Sequence, residues 1–121
     1  MDKNKIEGYK DLLVWQKSMV LVEMIYKLTN TLPTEEQWGL KSQMRRAAVS
    51  VPSNIAEGYG RQTTGNYKQF LAIGRGSLFE IETQVLLCVR LKYLNEKEAE
   101  QILNNITEIS KMLYSLLTKI K

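Results

Sequence analysis

The sequence predicts an all-α protein, an antiparallel up-down-up-down four-helix bundle formed as a single domain by residues 1–121. Apolar residues recur at spacings of three and four almost throughout, and no convincing alternation of period two is present. Only two prolines and seven glycines interrupt the chain, which leaves room for long helices. Four helical segments of about 20 to 28 residues, joined by short turns, are typical of this architecture.

Capping residues and helix breakers set the expected helix boundaries. The predicted helices cover residues 11–31, 34–60, 64–92 and 95–120, after a short N-terminal arm over residues 1–10. Asp11, Thr34, Thr64 and Asn95 are the expected N-caps, and a glutamine or glutamate three residues after the second and the fourth completes a capping box. Pro52 lies inside the second helix, where its missing N–H and its ring predict a kink.

The core is expected along apolar seams of the third and fourth helices, where the steps alternate between three and four residues. Cys88 lies on the third-helix seam, which predicts a buried and unreactive thiol. Small residues on the second and third helices predict a close approach of the two backbones. They are Ala47, Ala48, Ser50 and Ser53 on one helix and Gly74, Gly76 and Ser77 on the other.

The composition excludes several kinds of chemistry. The chain has no histidine and one cysteine, so Ser-His-Asp catalysis, histidine metal sites, thiolate zinc clusters and intrachain disulfides are ruled out. No glycine-rich phosphate or dinucleotide motif is present, and no cofactor is expected. The longest apolar run, residues 85–89, is too short to cross a membrane, and the polar N-terminus predicts a cytoplasmic protein. The expected function is therefore binding or assembly, not enzymatic catalysis.

The first helix has more apolar surface than the core of one bundle requires. Its apolar residues form two lines: Trp15, Met19, Val22 and Tyr26 make one, and Leu21, Ile25 and Leu28 make the other. One line can face the core of its own bundle, and the other is expected to be buried between subunits of a homo-oligomer. The sequence leaves open which line plays which part.

The net charge of +4 is concentrated in residues 41–75, where six basic residues stand against one acidic residue. A basic sector with tyrosines nearby is typical of nucleic-acid contact through phosphates and stacked bases. Internal ion pairing is the competing interpretation. The pairs expected from an antiparallel register are Arg45 and Arg46 with Glu80 and Glu82, and Glu57 with Lys68. Ranked by how free of internal partners they are expected to be, the candidate contacts to RNA or DNA are Arg61, Lys41, Arg75 and Lys68.

A polar stripe follows the second helix in steps of three and four residues. Its members are Arg46, Ser50, Asn54, Glu57 and Arg61. Short serine and asparagine side chains beside charged ones favour a shared hydrogen-bond network at a helix–helix or subunit contact over a purely solvated face. Glu57 with Glu80 or Glu82 could in principle act as paired carboxylates in acid–base chemistry, but the nearby arginines favour structural ion pairs.

Three stretches carry a family resemblance: residues 9–12 with Trp15-Gln16, residues 43–61, and residues 76–84. They resemble the bacterial four-helix-bundle family named for intervening sequences in large-subunit (23S) ribosomal RNA genes. Gly74 stands where that family more often has alanine. The resemblance implies an antiparallel bundle that assembles into a homopentamer. The chain is also similar to the accessory protein of diversity-generating retroelements, a pentameric bundle whose basic surface engages nucleic acid and a reverse transcriptase.

The resemblance brings no catalytic residues. The motif positions that it carries over, for assembly or nucleic-acid contact, are Arg46, Ser50, Asn54, Glu57, Gly58, Arg61, Gly76, Ser77, Glu80 and Glu82. Two functions stay open. The first is a homo-oligomer, expected to be a pentamer, that binds RNA or DNA through a basic surface. The second is a protein-interaction scaffold or accessory factor in which nucleic acid has no direct role.

Overall fold

The computed structural model describes residues 5–120, and four long helices hold most of them. The helices are α1 (Leu13–Asn30), α2 (Leu40–Tyr59), α3 (Thr64–Arg90) and α4 (Glu96–Lys119), with short 3-10 helices at Tyr9–Asp11 and Thr34–Glu36. No strand occurs between residues 5 and 120. The predicted all-α four-helix fold is therefore confirmed. The first four residues of the expected N-terminal arm lie outside the described residues.

The first helix begins two residues later than predicted, and Asp11 is not its N-cap. The Asp11 carboxylate instead accepts hydrogen bonds from the backbone N–H groups of Glu7, at 2.9 Å, and Gly8, at 3.3 Å. It therefore stabilises the 3-10 turn that precedes α1. The residue that does precede α1 is Leu12, whose side chain makes no capping hydrogen bond.

The second helix begins at Leu40, six residues later than predicted, and the capping box at Thr34 is wrong. Thr34 makes no side-chain cap, and residues 34–36 form a separate 3-10 turn. Glu36 is used twice: its carboxylate accepts from the backbone N–H of Leu40 at 3.2 Å and from the Tyr93 hydroxyl at 3.0 Å. This carboxylate therefore ties the start of α2 to the turn that follows α3.

The ends of α3 and α4 follow local capping rules. Thr63, one residue before the predicted N-cap, accepts from the backbone N–H of Asn66 at 3.2 Å. The predicted cap at Asn95 is confirmed by its bond from the Glu98 N–H at 2.8 Å. Between the two helices, Lys92 has a φ of 64°, and the N–H of Tyr93 bonds to the carbonyl of Cys88 at 2.8 Å. This is a Schellman ending with lysine at the left-handed position that glycine usually occupies.

Each helix packs against the next one along the chain, and α1 packs against α4, which closes the bundle. The contacts between α2 and α3 pair Arg46 with Glu80, and Ser50 with Ser77, so the two helices run antiparallel. The fully buried side chains include Leu21 and Ile25 of α1, Met44, Val51 and Ile55 of α2, Leu71, Leu78, Ile81, Val85 and Cys88 of α3, and Ile106, Ile109 and Leu113 of α4. The predicted seams of α3 and α4 therefore form the core, and Cys88 is buried as expected.

Pro52 is buried within α2. The expected kink at this proline stays a prediction, as does the full up-down-up-down order. Within residues 5–120, no helix combines the length and the apolar character that a membrane crossing requires.

Candidate assembly and nucleic-acid surfaces

The N-terminal part of the polar stripe on α2, from Arg46 to Asn54, forms the hydrogen-bond network that the short side chains predict. Arg46 Nη2 lies 2.6 Å from Glu80 Oε2, and the hydroxyls of Ser50 and Ser77 lie 2.9 Å apart. Asn54 Nδ2 donates to the backbone carbonyl of Ser50 at 2.7 Å and to its hydroxyl at 2.9 Å. The stripe therefore joins α2 to α3 through side chains that stand at the edge of the bundle.

At the C-terminal end of the stripe, two expectations are wrong: the pair of Glu57 with Lys68, and an Arg61 without internal partners. Glu57 pairs with Arg61 at 2.9 Å, and not with Lys68. The Arg61 guanidinium also lies 4.7 Å from the centre of the Phe70 ring. Arg61 is therefore not a cation without internal partners, because the four-residue spacing brings Glu57 within reach of it.

Arg45 does not pair with a glutamate of α3. Its Nε donates to the Thr29 hydroxyl at 2.8 Å and its Nη2 to the side-chain carbonyl of Asn30 at 2.9 Å. Its guanidinium lies 4.3 Å from the centre of the Tyr26 ring. Successive helix residues point about 100° apart, so Arg46 faces α3 while Arg45 faces the end of α1. A cation there also complements the negative end of the helix dipole.

Arg75 lies on the side where α3 meets α4. Its guanidinium carbon is 5.2 Å from the centre of the Phe79 ring and 5.3 Å from that of Tyr114. The Nε atom is buried and has no hydrogen-bond partner. Lys68 precedes Arg75 by seven residues, so both occupy the same face of α3.

Lys41 lies far from the other candidate cations. It stands in the first turn of α2, whereas Arg61 follows the last turn of that helix. Since each residue adds 1.5 Å along a helix, about 30 Å separates the two positions. Lys41 and Arg61 therefore do not belong to one compact surface.

Charge is divided between the two ends of the bundle. We call residues 5–20, 52–75 and 107–120 the basic end, because they hold eight basic and four acidic side chains. The other half, residues 21–51 and 76–106, holds seven basic and eight acidic side chains. Lys17 pairs with Glu108, and Arg75 lies beside Tyr114. Trp15 and Pro52 line one groove. These contacts bring the three segments together, so the charge bias arises only in the folded chain.

The structure decides between the two apolar lines of α1. Leu21, Ile25 and Leu28 are buried in the core, so their expected place in a subunit interface is wrong. In the other line, Met19 and Tyr26 are exposed, and Trp15 and Val22 are partly buried against the core. Trp15, Met19 and Val22 border an apolar groove that Val49, Pro52 and Ala56 complete from α2, and we call this the α1/α2 groove. Met19 and Val49 remain 41% and 42% exposed there.

The small residues of α2 and α3 differ in what surrounds them. A Cβ added to Gly58 would lie 2.7 Å from the Cβ of Phe70, so this glycine does permit close helix approach. A Cβ added to Gly74 would meet its nearest atom, the Val51 carbonyl oxygen, at an ordinary 3.6 Å. Gly76 is exposed, with no atom within 4 Å of such a Cβ, so the expectation that it brings α2 and α3 together is wrong.

Glu57 and Glu80, two of the three carboxylates considered for acid–base chemistry, hold structural partners. Glu57 pairs with Arg61, and Glu80 with Arg46, while Glu80 also accepts from Gln84 Nε2 at 3.3 Å. In the described part of the chain, no group of three or more acidic or cysteine side chains is placed to hold a metal ion. The favoured interpretation, structural ion pairs, is confirmed for both carboxylates.

Two exposed rings near Arg75 were missed by sequence reasoning. Phe79 and Tyr114, the two rings near Arg75, are 48% and 57% exposed. The four-residue step from Arg75 to Phe79 was a usable signal. Tyr114 carried no such signal, because it arrives from α4 and depends on the register of two helices.

Comparison with known proteins places the fold in context. A crystal structure from Bacteroides thetaiotaomicron VPI-5482, of a protein with unknown function from the S23 ribosomal protein family, is similar with a TM-score of 0.81 and 27% identity. The likeness covers 87% of this chain and 98% of that one. No protein with a curated description matches the chain. The model of the family described as 23S rRNA-intervening sequence protein matches residues 10–115, nearly the whole chain, and the protein therefore belongs to that family.

Proposed function

We propose that the protein is a non-enzymatic homo-oligomer that binds RNA or DNA through the basic end of its bundle. The observation that carries this proposal is the separation of two surfaces on one small domain. The α1/α2 groove offers apolar area without charge, and the basic end offers an excess of four positive charges. A surface for assembly and a surface for phosphates can then act at the same time.

The α1/α2 groove is the proposed assembly surface. Complete burial of a large apolar side chain contributes about 1.5–3 kcal/mol, and Trp15, Met19, Val22 and Val49 are only partly withdrawn from water. A second copy of the chain covering the groove would bury the remainder. The family resemblance supplies five as the expected number of subunits.

A closed ring needs two different surfaces on each subunit. The side where α2 meets α3 offers the second, because Ile73 and Leu87 are exposed and lie on the same helix face as residues of α3 that contact α2. Ile73 precedes Ser77 by four residues, and Leu87 follows Glu80 by seven. This side adjoins the α1/α2 groove around the bundle, about 90° away in a square arrangement of four helices. A ring of five needs contact surfaces about 108° apart, so adjacent sides suit a ring and opposite sides would suit an open filament.

The nucleic-acid surface is proposed to use Lys68 and Arg75 as its principal contacts. Arg61 contributes less, because Glu57 already neutralises part of its charge. Lys41 lies at the opposite end of α2 and is left out of this surface. Phosphate contacts release counterions, so the affinity should fall steeply as salt rises.

Light scattering in dilute solution tests assembly. A mass near 14 kDa refutes self-association, and five subunits of 14.0 kDa give about 70 kDa. Replacing Met19 and Val49 with lysine should produce helical monomers. The matched control is Val20→Lys, an exposed residue of α1 that does not line the groove, and it should leave the mass unchanged.

Titration with a structured RNA at low and high salt tests binding. Lys68→Glu should weaken binding and reduce the dependence of affinity on salt. Lys97→Glu is the control, because it makes the same charge change at the other end of the bundle. Affinity that does not vary with salt, or no detectable binding at low ionic strength, would refute the nucleic-acid proposal.

A protein-interaction scaffold is the second candidate, and one observation favours it. Trp38 is 86% exposed beside the start of α2, at the end of the bundle away from the basic end. Large exposed tryptophans are enriched at protein interfaces. Capture of partners before and after nuclease treatment separates the candidates: partners that persist support a scaffold, and partners that disappear support nucleic-acid binding.

A further inference from the structure

Arg75, Phe79 and Tyr114 form a cluster on the α3/α4 side of the bundle, which we call the Arg75 cluster. The carbon of the Arg75 guanidinium lies 5.2 Å from the centre of the Phe79 ring and 5.3 Å from that of Tyr114. Both rings are about half exposed. The cluster lies away from the α1/α2 groove and from the α2/α3 side, so a ring built from those surfaces leaves it open.

Arg75, on the α3/α4 side, lacks the carboxylate partner that Arg46 and Arg61 have. Arg46 and Arg61 each pair with a glutamate, whereas Arg75 forms no ion pair with any carboxylate of residues 5–120. Its Nε is buried with no acceptor, and a buried donor without an acceptor is costly. The two rings hold the guanidinium in place, so its charge is presented at a fixed position.

Positive charge continues from the cluster toward the basic end. Lys68 lies on the same face of α3, two turns before Arg75, or about 10 Å along the helix. In the other direction Glu82 follows Phe79 by three residues. An anionic chain would therefore extend from the cluster toward Lys68 and away from Glu82.

We propose that the Arg75 cluster binds a single-stranded segment of nucleic acid, with bases stacked on Phe79 and Tyr114 and a phosphate on Arg75. Exposed rings beside cations bind single strands because every unpaired base offers a flat face for stacking. A duplex hides those faces within its own stack and offers the cluster only its phosphates. The inference rests on the proposed function and deepens it, since it names the form of nucleic acid that is bound.

Isothermal titration calorimetry with a 15-nucleotide single-stranded RNA and with an RNA duplex of the same length tests the inference. The intact protein should bind the single strand at least about tenfold more tightly than the duplex. Phe79→Leu and Tyr114→Leu should each weaken single-strand binding about tenfold, while the dependence on salt stays unchanged because no charge is lost. Arg75→Gln should weaken binding and lower the salt dependence by about one counterion.

Two controls keep the result specific. Trp38→Leu removes an exposed ring far from the cluster and should leave affinity unchanged. Circular dichroism of every variant should match the original helix content, since the replaced rings are exposed and glutamine favours a helix about as well as arginine. Equal affinity for single strand and duplex, or no effect of the two leucine substitutions, would overturn the cluster while leaving nucleic-acid binding by the basic end intact. A protein that binds neither RNA refutes both, and binding only to an acidic protein would assign Arg75 to a carboxylate.

Discussion

Gly58→Ala separates the packing requirement at the end of α2 from ordinary helix propensity. Alanine in place of a helical glycine normally stabilises a helix by about 0.5–1 kcal/mol. At position 58 the new Cβ would lie 2.7 Å from Phe70 Cβ and 3.1 Å from Tyr67 Cδ1. Overpacking of this kind costs about 1–3 kcal/mol. After the helix gain of about 0.5–1 kcal/mol is subtracted, the free energy of unfolding should fall by up to about 2.5 kcal/mol.

Gly74→Ala is the matched control, because its nearest neighbours would be 3.6 Å and 3.7 Å from the Cβ. Alanine fits there and should raise the free energy of unfolding by about 0.5–1 kcal/mol. Urea titrations at one protein concentration compare the two variants. With a slope of about 1–3 kcal/mol per molar urea, their midpoints should differ by roughly 1 M. Equal stabilisation by both substitutions would refute the argument that Gly58 is required for close packing.

Four further predictions concern single side chains. Lys92→Gly should raise the free energy of unfolding by about 1 kcal/mol, measured in urea, because a left-handed lysine (φ 64°) is replaced by a residue that adopts this conformation freely. Arg46→Ala should lower it by less than about 1 kcal/mol, since the pair with Glu80 is 64% and 36% exposed; a larger loss would contradict a screened surface pair. Burial, and then the charge of Glu36, raises the pKa of the Cys88 thiol. Thiol reagents should therefore modify the folded protein at least about a thousandfold more slowly than the unfolded chain. Comparable rates would contradict the burial of Cys88 in the core. The hydrogen bond to Glu36, followed by burial, raises the pKa of the Tyr93 hydroxyl. The stability that this hydroxyl contributes is therefore complete below its pKa in the unfolded chain, and it is lost as pH rises through its pKa in the folded protein. Tyr93→Phe should reduce the loss of stability above about pH 10.

The number and order of the helices could be predicted because the evidence is local. Apolar spacing within each segment, and caps such as Asn95, act over a few residues and need no knowledge of the fold. The prediction of where α2 starts failed because that start depends on a contact between residues distant in sequence. The segment from Thr34 fits the capping-box pattern, but Glu36 is held by Tyr93, 57 residues later, and the helix begins only after Gly39.

The surfaces were harder to predict than the helices, because side-chain partners compete. Glu57 has two cations within plausible reach, and the one on its own helix turn forms the pair. Arg45 and Arg46 are neighbours in sequence yet contact different helices, a consequence of the 100° step that could have been applied from the sequence. The choice between the two lines of α1, and the arrival of Tyr114 beside Arg75, required the register of all four helices.

The two tryptophans make the α1/α2 groove directly observable by intrinsic emission. Trp38 is 86% exposed, so its spectrum should be close to that of an unfolded chain and respond little to folding. Trp15 is half-buried, with its ring centre 5.3 Å from that of Tyr9, and it borders the groove itself. A Trp38→Phe protein would therefore emit from a single indole, and the wavelength of its emission maximum would depend on how much water reaches that groove. Dilution of an assembled protein would shift this emission to longer wavelength as neighbouring subunits leave.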